Sequence, residues 1–445
     1  MAVHPIDYRY YTEEMRALFE EDNILQKKLD VEAALAKVHA KLGNIPKKAA
    51  VEIAKKANVK YVTMKRVNEI DEEIRHDLMA IVKALSEKCG EAGKYVHYGA
   101  TSYDIVDTAY AMLLRDAILL VRKDLEKFKK ILLEKAGKYK RLVMIGRTHG
   151  QHAVPITFGL KFAVWAAEVQ RHLDRLDDVL PIVAVGKMTG AVGTGAALGK
   201  NAIKIQEMVM QELNLGVPLA TTQTLQRDRH AQAIFTLALV AQTLYKIAAE
   251  VRNLQRTELQ EAEEPFKEKQ VGSSTMPHKR NPHRSERICG LARNIKANAI
   301  VALDNIPLEH ERDLTNSSSD RLMFAESFIL THYILTEAID VISGLRVYEK
   351  NIRKNLGLTK GRIMAEAVMV KLVEKGLGRQ EAHELVRVCA MESFEKDIEL
   401  SVVLINNREI RKCLSIKDIQ DTLNPDNHIG VAVEIVDNVI KKLGK

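Results

Sequence analysis

Proline occupies only ten of 445 positions, and residues 47–154 and 308–424 contain none. Proline stops a helix because it lacks an N–H and its ring collides with the preceding turn, so these stretches are open to long helices. Between the prolines the apolar residues repeat at helical spacing. Ile234, Leu237, Ala238, Ala241, Leu244, Tyr245 and Ala248 share one face, and Val251 and Leu254 continue it. The spacing predicts a helix from about Arg229 to Glu264, roughly 50 Å long at 1.5 Å per residue. Similar patterns predict helices over about 103–140, 157–180, 285–303 and 319–345, whereas strand-like alternation is scarce, with Leu142–Ile145 the best short candidate.

Helices this long cannot bury their apolar stripes in a small globule. They suit a bundle whose core runs along its axis and is completed by other subunits. The expected fold is therefore all-α, with a helical N-terminal domain over 1–94, a long-helix central domain over 95–346 and a helical C-terminal domain over 347–445. The 46% of hydrophobic residues is ample for such a core.

The net charge of +8 admits nucleic acid, a membrane surface or an acidic substrate as partner. Lys and Arg are interleaved with Glu, as in 123–127, and no dense basic arm or stacking set of aromatics occurs, so an anionic small molecule fits best. Cys89, Cys289, Cys389 and Cys413 lie far apart, with neither disulfide nor zinc-ligand spacing. Reduced thiols and an N-terminus without an apolar run lead to the expectation of a cytoplasmic protein with no metal. The most apolar stretch, Ala231–Ala249, carries Gln232, Thr236, Gln242, Thr243 and Lys246, too many polar groups for a membrane span.

Five polar joints between the helices are the places for chemistry. Residues 271–282, VGSSTMPHKRNP, combine a glycine and two serines with prolines that prevent helix formation. Lys279, Arg280, Arg284 and Arg287 gather where the next helix begins. A helix N-terminus repels cations, so the cluster makes sense if an anion sits there. Residues 146–155 place His149 at a sharp turn between two helices, free to act as acid or base, although a histidine in a turn is also a common structural element. In 94–102, Thr101 and Ser102 can cap the following helix or bind a carboxylate. Residues 186–195 resemble a phosphate loop but match neither nucleotide-binding glycine pattern, and 222–230 form a polar helix entry downstream. In 310–321, the serines suit helix caps, and Arg312 and Arg321 flank them as a pocket for a carboxylate or phosphate.

Together these joints resemble the fumarase/aspartase superfamily over essentially the whole chain. GSSTMPHKRNP at 272–282 is similar to its signature loop, which carboxymuconate cycloisomerases also carry closely. Arg9–Tyr10 with Glu14–Met15, Arg75–His76–Asp77, the run 222–230 and the segment 310–321 resemble the adenylosuccinate lyase family more narrowly. The resemblance implies a cofactor-free carbon–nitrogen lyase that eliminates fumarate from adenylosuccinate and from the succinylated imidazole-carboxamide ribotide. It implies a homotetramer with a shared helical bundle and active sites built from three chains. Ser273 matches the general base and His149 the general acid; Lys279 and Asn281 match groups holding the succinyl carboxylates. Arg9, Tyr10, Arg287, Arg312, Ser317 and Arg321 match phosphate and carboxylate binders, and Arg75, His76, Asp77, Thr101, Ser102, Thr148 and Gln223 other substrate contacts. Whether His76 shares the acid role is open. The alternatives are a sister lyase of the argininosuccinate or carboxymuconate type and a silent helical-bundle protein. The set Arg9, Tyr10, Arg312, Ser317 and Arg321 speaks against the first, and retention of Ser273, His149 and Lys279 against the second.

Overall fold

The computed structural model describes residues 4–444. Five long helices dominate it: α1 (Ser102–Tyr139), α2 (Phe158–Val183), α3 (Asp228–Leu254), α4 (His283–Asp304) and α5 (Thr315–Ser343). Strands are short. β1 (Val143–Thr148) and β2 (Gln151–Thr157) form an antiparallel hairpin between α1 and α2, and β3 (Ala262–Glu263) pairs with β4 (Arg346–Val347). The all-α fold class holds, with 69% of the chain helical.

The five predicted long helices form with ends within a few residues of expectation, apart from the C-terminus of α3. That helix stops at Leu254 and the continuation to Glu264 does not form. Only Leu259 and Ala262 are apolar between 255 and 264, so no stripe remains to bury. Gln260 instead takes a φ of 46°, and the Glu261 N–H returns to the Leu254 carbonyl at 2.9 Å, which turns the buried Glu261 carboxylate inward.

The chain divides into two compact units, and the division falls inside all five long helices. One comprises Met1–Glu126, Arg171–Tyr245 and Arg287–Thr336; the other comprises Lys127–Gln170, Lys246–Glu286 and Glu337–Lys445. In the first, Leu25, Leu29 and Leu35 of the helix Glu21–Lys41 pack with Ile53, Ile70, Leu78, Ile105 and Met112. The second has a helical core around Val368, Leu372, Val386, Leu404 and Ile419, and a smaller one where Val143 and Ile145 at the hairpin root meet Leu356, Ile363 and Met364.

By length and composition α3 and α5 are both apolar enough to cross a membrane. However, 61% and 67% of their most apolar windows are buried inside the protein, as the core helices of a bundle would be.

Candidate active site

In the first unit, Arg75, His76 and Asp77 occupy the joint between the helices Met64–Ile74 and Asp77–Lys88. Arg75 closes one with a left-handed φ of 52°, and His76 caps the other, its Nδ1 accepting the Met79 N–H at 3.3 Å. The cap commits Nδ1 as an acceptor, so in the neutral ring the proton resides on Nε2. Asp77 forms an ion pair with Arg321, which brings two separately predicted segments together. Burial pushes the Asp77 carboxyl up, but the hydrogen bond and charge of Arg321, with Lys28 nearby, hold it below the usual range.

Arg312 donates to the Gln223 side-chain oxygen, and its guanidinium lies 3.9 Å from the centre of the Tyr103 ring. Gln223 in turn donates to the Ala191 carbonyl at 2.8 Å. Tyr103 also lines a small cavity with Ser317 and Arg321. Thr101 precedes α1, but its hydroxyl does not cap it: the Asp104 carboxylate accepts the Thr101 N–H at 2.8 Å. Among the described residues neither the Thr101 nor the Ser102 hydroxyl is tied into a hydrogen bond, so the ligand-binding alternative keeps its groups. The α5 cap is likewise not a serine: Asp313 accepts the Thr315 N–H at 2.7 Å.

Tyr10 and Arg287 meet at Tyr333, a residue that the sequence did not single out, and Arg9 lies against Tyr10. The Tyr10 and Tyr333 rings lie 5.8 Å apart, Arg287 donates to the Tyr333 hydroxyl at 2.9 Å, and Arg9 sits 5.6 Å from the Tyr10 ring. An aromatic on the apolar period of α5 reads as packing, so its sequence held no signal. Tyr103 was hidden in the same way.

The segment 186–195 does cradle an anion, and that anion belongs to the chain. Fully buried Asp104 pairs with Lys187 and accepts the N–H groups of Thr189 at 2.9 Å and Gly190 at 3.1 Å. Close by in sequence, buried Arg227 bridges Asp107 and Asp320. His230 is buried beside them, 5.3 Å from the Phe324 ring, and burial together with Arg227 lowers its pKa to about 3. An unfolded histidine titrates near 6.5, so below that pH the unfolded chain binds a proton that the folded one refuses. Stability is thus expected to fall from about pH 6.5 toward pH 3, by up to about 1.4 kcal/mol per pH unit from this group. His230→Phe flattens that limb in urea unfolding; identical slopes in the two proteins would contradict it.

The second unit holds the signature loop. The Ser273 hydroxyl accepts the N–H of Met276 at 3.1 Å and, more weakly, that of Thr275 at 3.4 Å. Asn281 donates to the Gly272 carbonyl at 2.8 Å, and a Cβ on Gly272 would lie 1.9 Å from the Lys279 carbonyl oxygen. Only glycine permits this clasp between the two ends of the loop. Met276, His278, Lys279 and Asn281 line a cavity of about 1010 Å³ together with Arg252 and Arg256.

The anion expected at the start of α4 is also internal. Buried Glu264 accepts the N–H groups of Arg284 at 3.1 Å and Ser285 at 3.0 Å. The clustered cations divide accordingly. Arg280 bonds Glu263 at 3.1 Å and Arg284 bonds Glu337 at 2.9 Å, whereas Lys279 forms no ion pair among the described residues.

His149 does not lie between two helices. With Gly150 it forms the two-residue apex of the β1–β2 hairpin, where both take positive φ, 53° and 73°, as a tight hairpin turn demands. Thr148 and His149 are both exposed there. No hydrogen bond joins His149 to Ser273 within the chain among the described residues, and none of their groups forms a cluster of three or more His, Cys, Asp or Glu able to hold a metal.

Comparison with known proteins places the chain in a family. Residues 7–296 match the family model described as Lyase, and residues 361–439 match Adenylosuccinate lyase C-terminus. The chain is 57% identical to an adenylosuccinate lyase of Pyrococcus abyssi, over 99% of this chain and 98% of that one. It is 52% identical to one of Methanocaldococcus jannaschii, over 100% and 96%. Among solved structures, a fumarate lyase from Mesorhizobium sp. BNC1 superposes with a TM-score of 0.90 at 35% identity, covering 98% of each chain. A 3-carboxy-cis,cis-muconate lactonizing enzyme from Pseudomonas putida superposes with a TM-score of 0.91 at 32% identity, covering 99% of this chain and 98% of that one.

Proposed function

The chain belongs to the adenylosuccinate lyase family, and on that premise we propose that it splits adenylosuccinate into AMP and fumarate by β-elimination, with the residue roles that follow. The observation that carries the reading is identity above 50% to adenylosuccinate lyases along the full chain, including their C-terminal segment. Two muconate-type enzymes share the fold at lower identity, 32% and 28%.

A proton beside a carboxylate is only weakly acidic, and removing it loads further negative charge onto an anionic group. Ser273 takes that proton from the succinyl methylene. Lys279, which has no ion-pair partner among the described residues, and Asn281 hold the carboxylates and stabilise the dianion, where one well-placed donor contributes roughly 3 kcal/mol. His149 delivers a proton to the departing nitrogen as the C–N bond breaks, so the electron pair released from carbon forms the fumarate double bond. The groups around Tyr103 and Tyr333 bind the nucleotide phosphate and the carboxylates: Arg312, Ser317 and Arg321 at one, Arg9, Tyr10 and Arg287 at the other. Arg75, His76, Asp77, Thr101, Ser102, Thr148 and Gln223 contact the remainder of the substrate. The succinylated imidazole-carboxamide ribotide carries the same reacting group and is cleaved likewise. The reaction needs no organic cofactor and no metal.

The working form in this reading is a homotetramer in the cytoplasm, with each site assembled from three chains. Leu119, Phe235, Leu239, Ile300 and Leu322 are exposed apolar residues on the long helices of the first unit, suited to packing against further copies of the bundle. The division 1–94, 95–346 and 347–445 belongs to the same proposal. Purified protein is expected to release fumarate, followed by its absorbance, from adenylosuccinate in preference to argininosuccinate or a carboxymuconate. Preference for an unphosphorylated acid would overturn the substrate.

A further inference from the structure

A two-stranded hairpin is marginal on its own in water, so the one carrying His149 must be held by its surroundings. Its root is held by the small core of Val143 and Ile145 with Leu356, Ile363 and Met364. That core ends before the tip. The pairing slips between Ile145 and Arg147, and Gly146 runs so close to the other strand that a Cβ there would sit 2.5 Å from Ile156. The last two rungs beyond this irregularity, Arg147 opposite His152 and Thr148 opposite Gln151, have no apolar support of that kind.

What they have is a clamp. The Arg147 guanidinium donates two hydrogen bonds to the Glu261 carboxylate, at 2.9 and 2.6 Å, and Asn355 donates to the same carboxylate at 2.9 Å. Glu261 has no exposed surface, and Arg147 is only 19% exposed in its side chain, so the pair is shielded from water where a bidentate bond is both strong and directional. Glu261 is itself fixed by backbone: its N–H bonds the Leu254 carbonyl at 2.9 Å and its carbonyl accepts the Tyr348 N–H at 3.0 Å. This is also why α3 ends where it does.

We propose that Arg147 and Glu261 are positioning residues for catalysis: their buried bidentate pair fixes the hairpin tip and thereby aims His149 at the departing nitrogen. The inference rests on the reading of His149 as general acid. A misplacement near 1 Å at a reacting group can cost about 100-fold in rate, which sets the scale of the effect.

Arg147→Met is expected to lower kcat about 10–100-fold with a smaller rise in KM, because Thr148 is one of many substrate contacts whereas His149 alone supplies the proton. Arg147→Lys, which retains the charge and one bond to Glu261, recovers part of the loss and covers the case in which the methionine variant does not fold. The decisive comparison is the double variant with His149→Gln. If Arg147 acts through His149, the double variant is no slower than His149→Gln alone. A further 10–100-fold drop in the double variant makes the pair merely structural and overturns the proposal. A fully active Arg147→Met beside an impaired His149→Gln also overturns it. A fully active His149→Gln instead overturns the acid assignment on which the inference rests.

Discussion

Ser273→Ala is expected to lower kcat for fumarate release by about 10²–10⁴-fold, the usual contribution of a positioned base, while KM moves little. Lys279 and Asn281, which hold the carboxylates in this reading, are untouched by the substitution, so ground-state binding survives. A serine hydroxyl is ordinarily far too weak a base to attack a carbon acid. Its alkoxide becomes accessible when N–H donors and a cation surround it in a site emptied of water. The donors are already in place: the Met276 N–H lies 3.1 Å from the Ser273 oxygen, with Thr275 behind it at 3.4 Å. Neither bond requires a substrate to form. Single-turnover fumarate absorbance isolates the chemical step from product release. Release by the variant at the wild-type rate rejects Ser273 as the base.

The loop geometry also shows how the ends of this segment are held. Asn281 ties the Gly272 carbonyl, and Arg280 is held from behind by Glu263 and by Gln255, which donates to its carbonyl at 3.1 Å. The two ends are therefore anchored, and the stretch 273–278 between them is largely exposed.

The long helices were legible because proline spacing and a sustained 3.6-residue period are both local signals. The hairpin was half legible. Leu142–Ile145 showed strand character, but β2 contains Pro155 and a His–Gly apex does not carry the usual Asn–Gly or Asp–Gly mark, so His149 read as a turn between helices. The positions resembling adenylosuccinate lyases were visible as motifs. What each motif does to its neighbour was not, because a sequence shows a charge without showing its partner. Glu264 at the start of α4 and Asp104 inside the glycine segment are the clearest cases: both sites look as though they await an external anion, and both are filled by a carboxylate of the chain itself. Tyr103 and Tyr333 were missed for a related reason, since an aromatic on an apolar helical face has the same sequence signature whether it packs or orients an arginine.

Arg227→Met is expected to destabilise the first unit by about 3–5 kcal/mol, the cost of breaking a buried ion pair by removing one partner. Arg227 is 3% exposed and serves two carboxylates at once: its terminal nitrogens bond Asp107 at 3.1 and 2.9 Å, and its Nε lies 3.1 Å from Asp320. Burial pushes the Asp320 carboxyl above the usual carboxylate range even with Arg227 beside it, a sign of how little water reaches this place. Methionine fills comparable volume, so the loss reports charge rather than a cavity. Two carboxylates would then face each other without a cation, held there by the Leu225 N–H on Asp107 at 2.7 Å and by Asn305 and Asn316 on Asp320, each at 2.8 Å. If uncompensated charge is the cause, adding Asp107→Asn and Asp320→Asn to Arg227→Met should restore much of the stability, since an uncharged substitute for a buried ionic cluster is often neutral. The comparison is made by urea unfolding at one fixed protein concentration, so that any assembly contributes equally to every variant. A loss of less than about 1 kcal/mol in the single variant, or a triple variant no more stable than the single, means the cluster is not what holds Gln223, Ser317 and the start of α1 in one place.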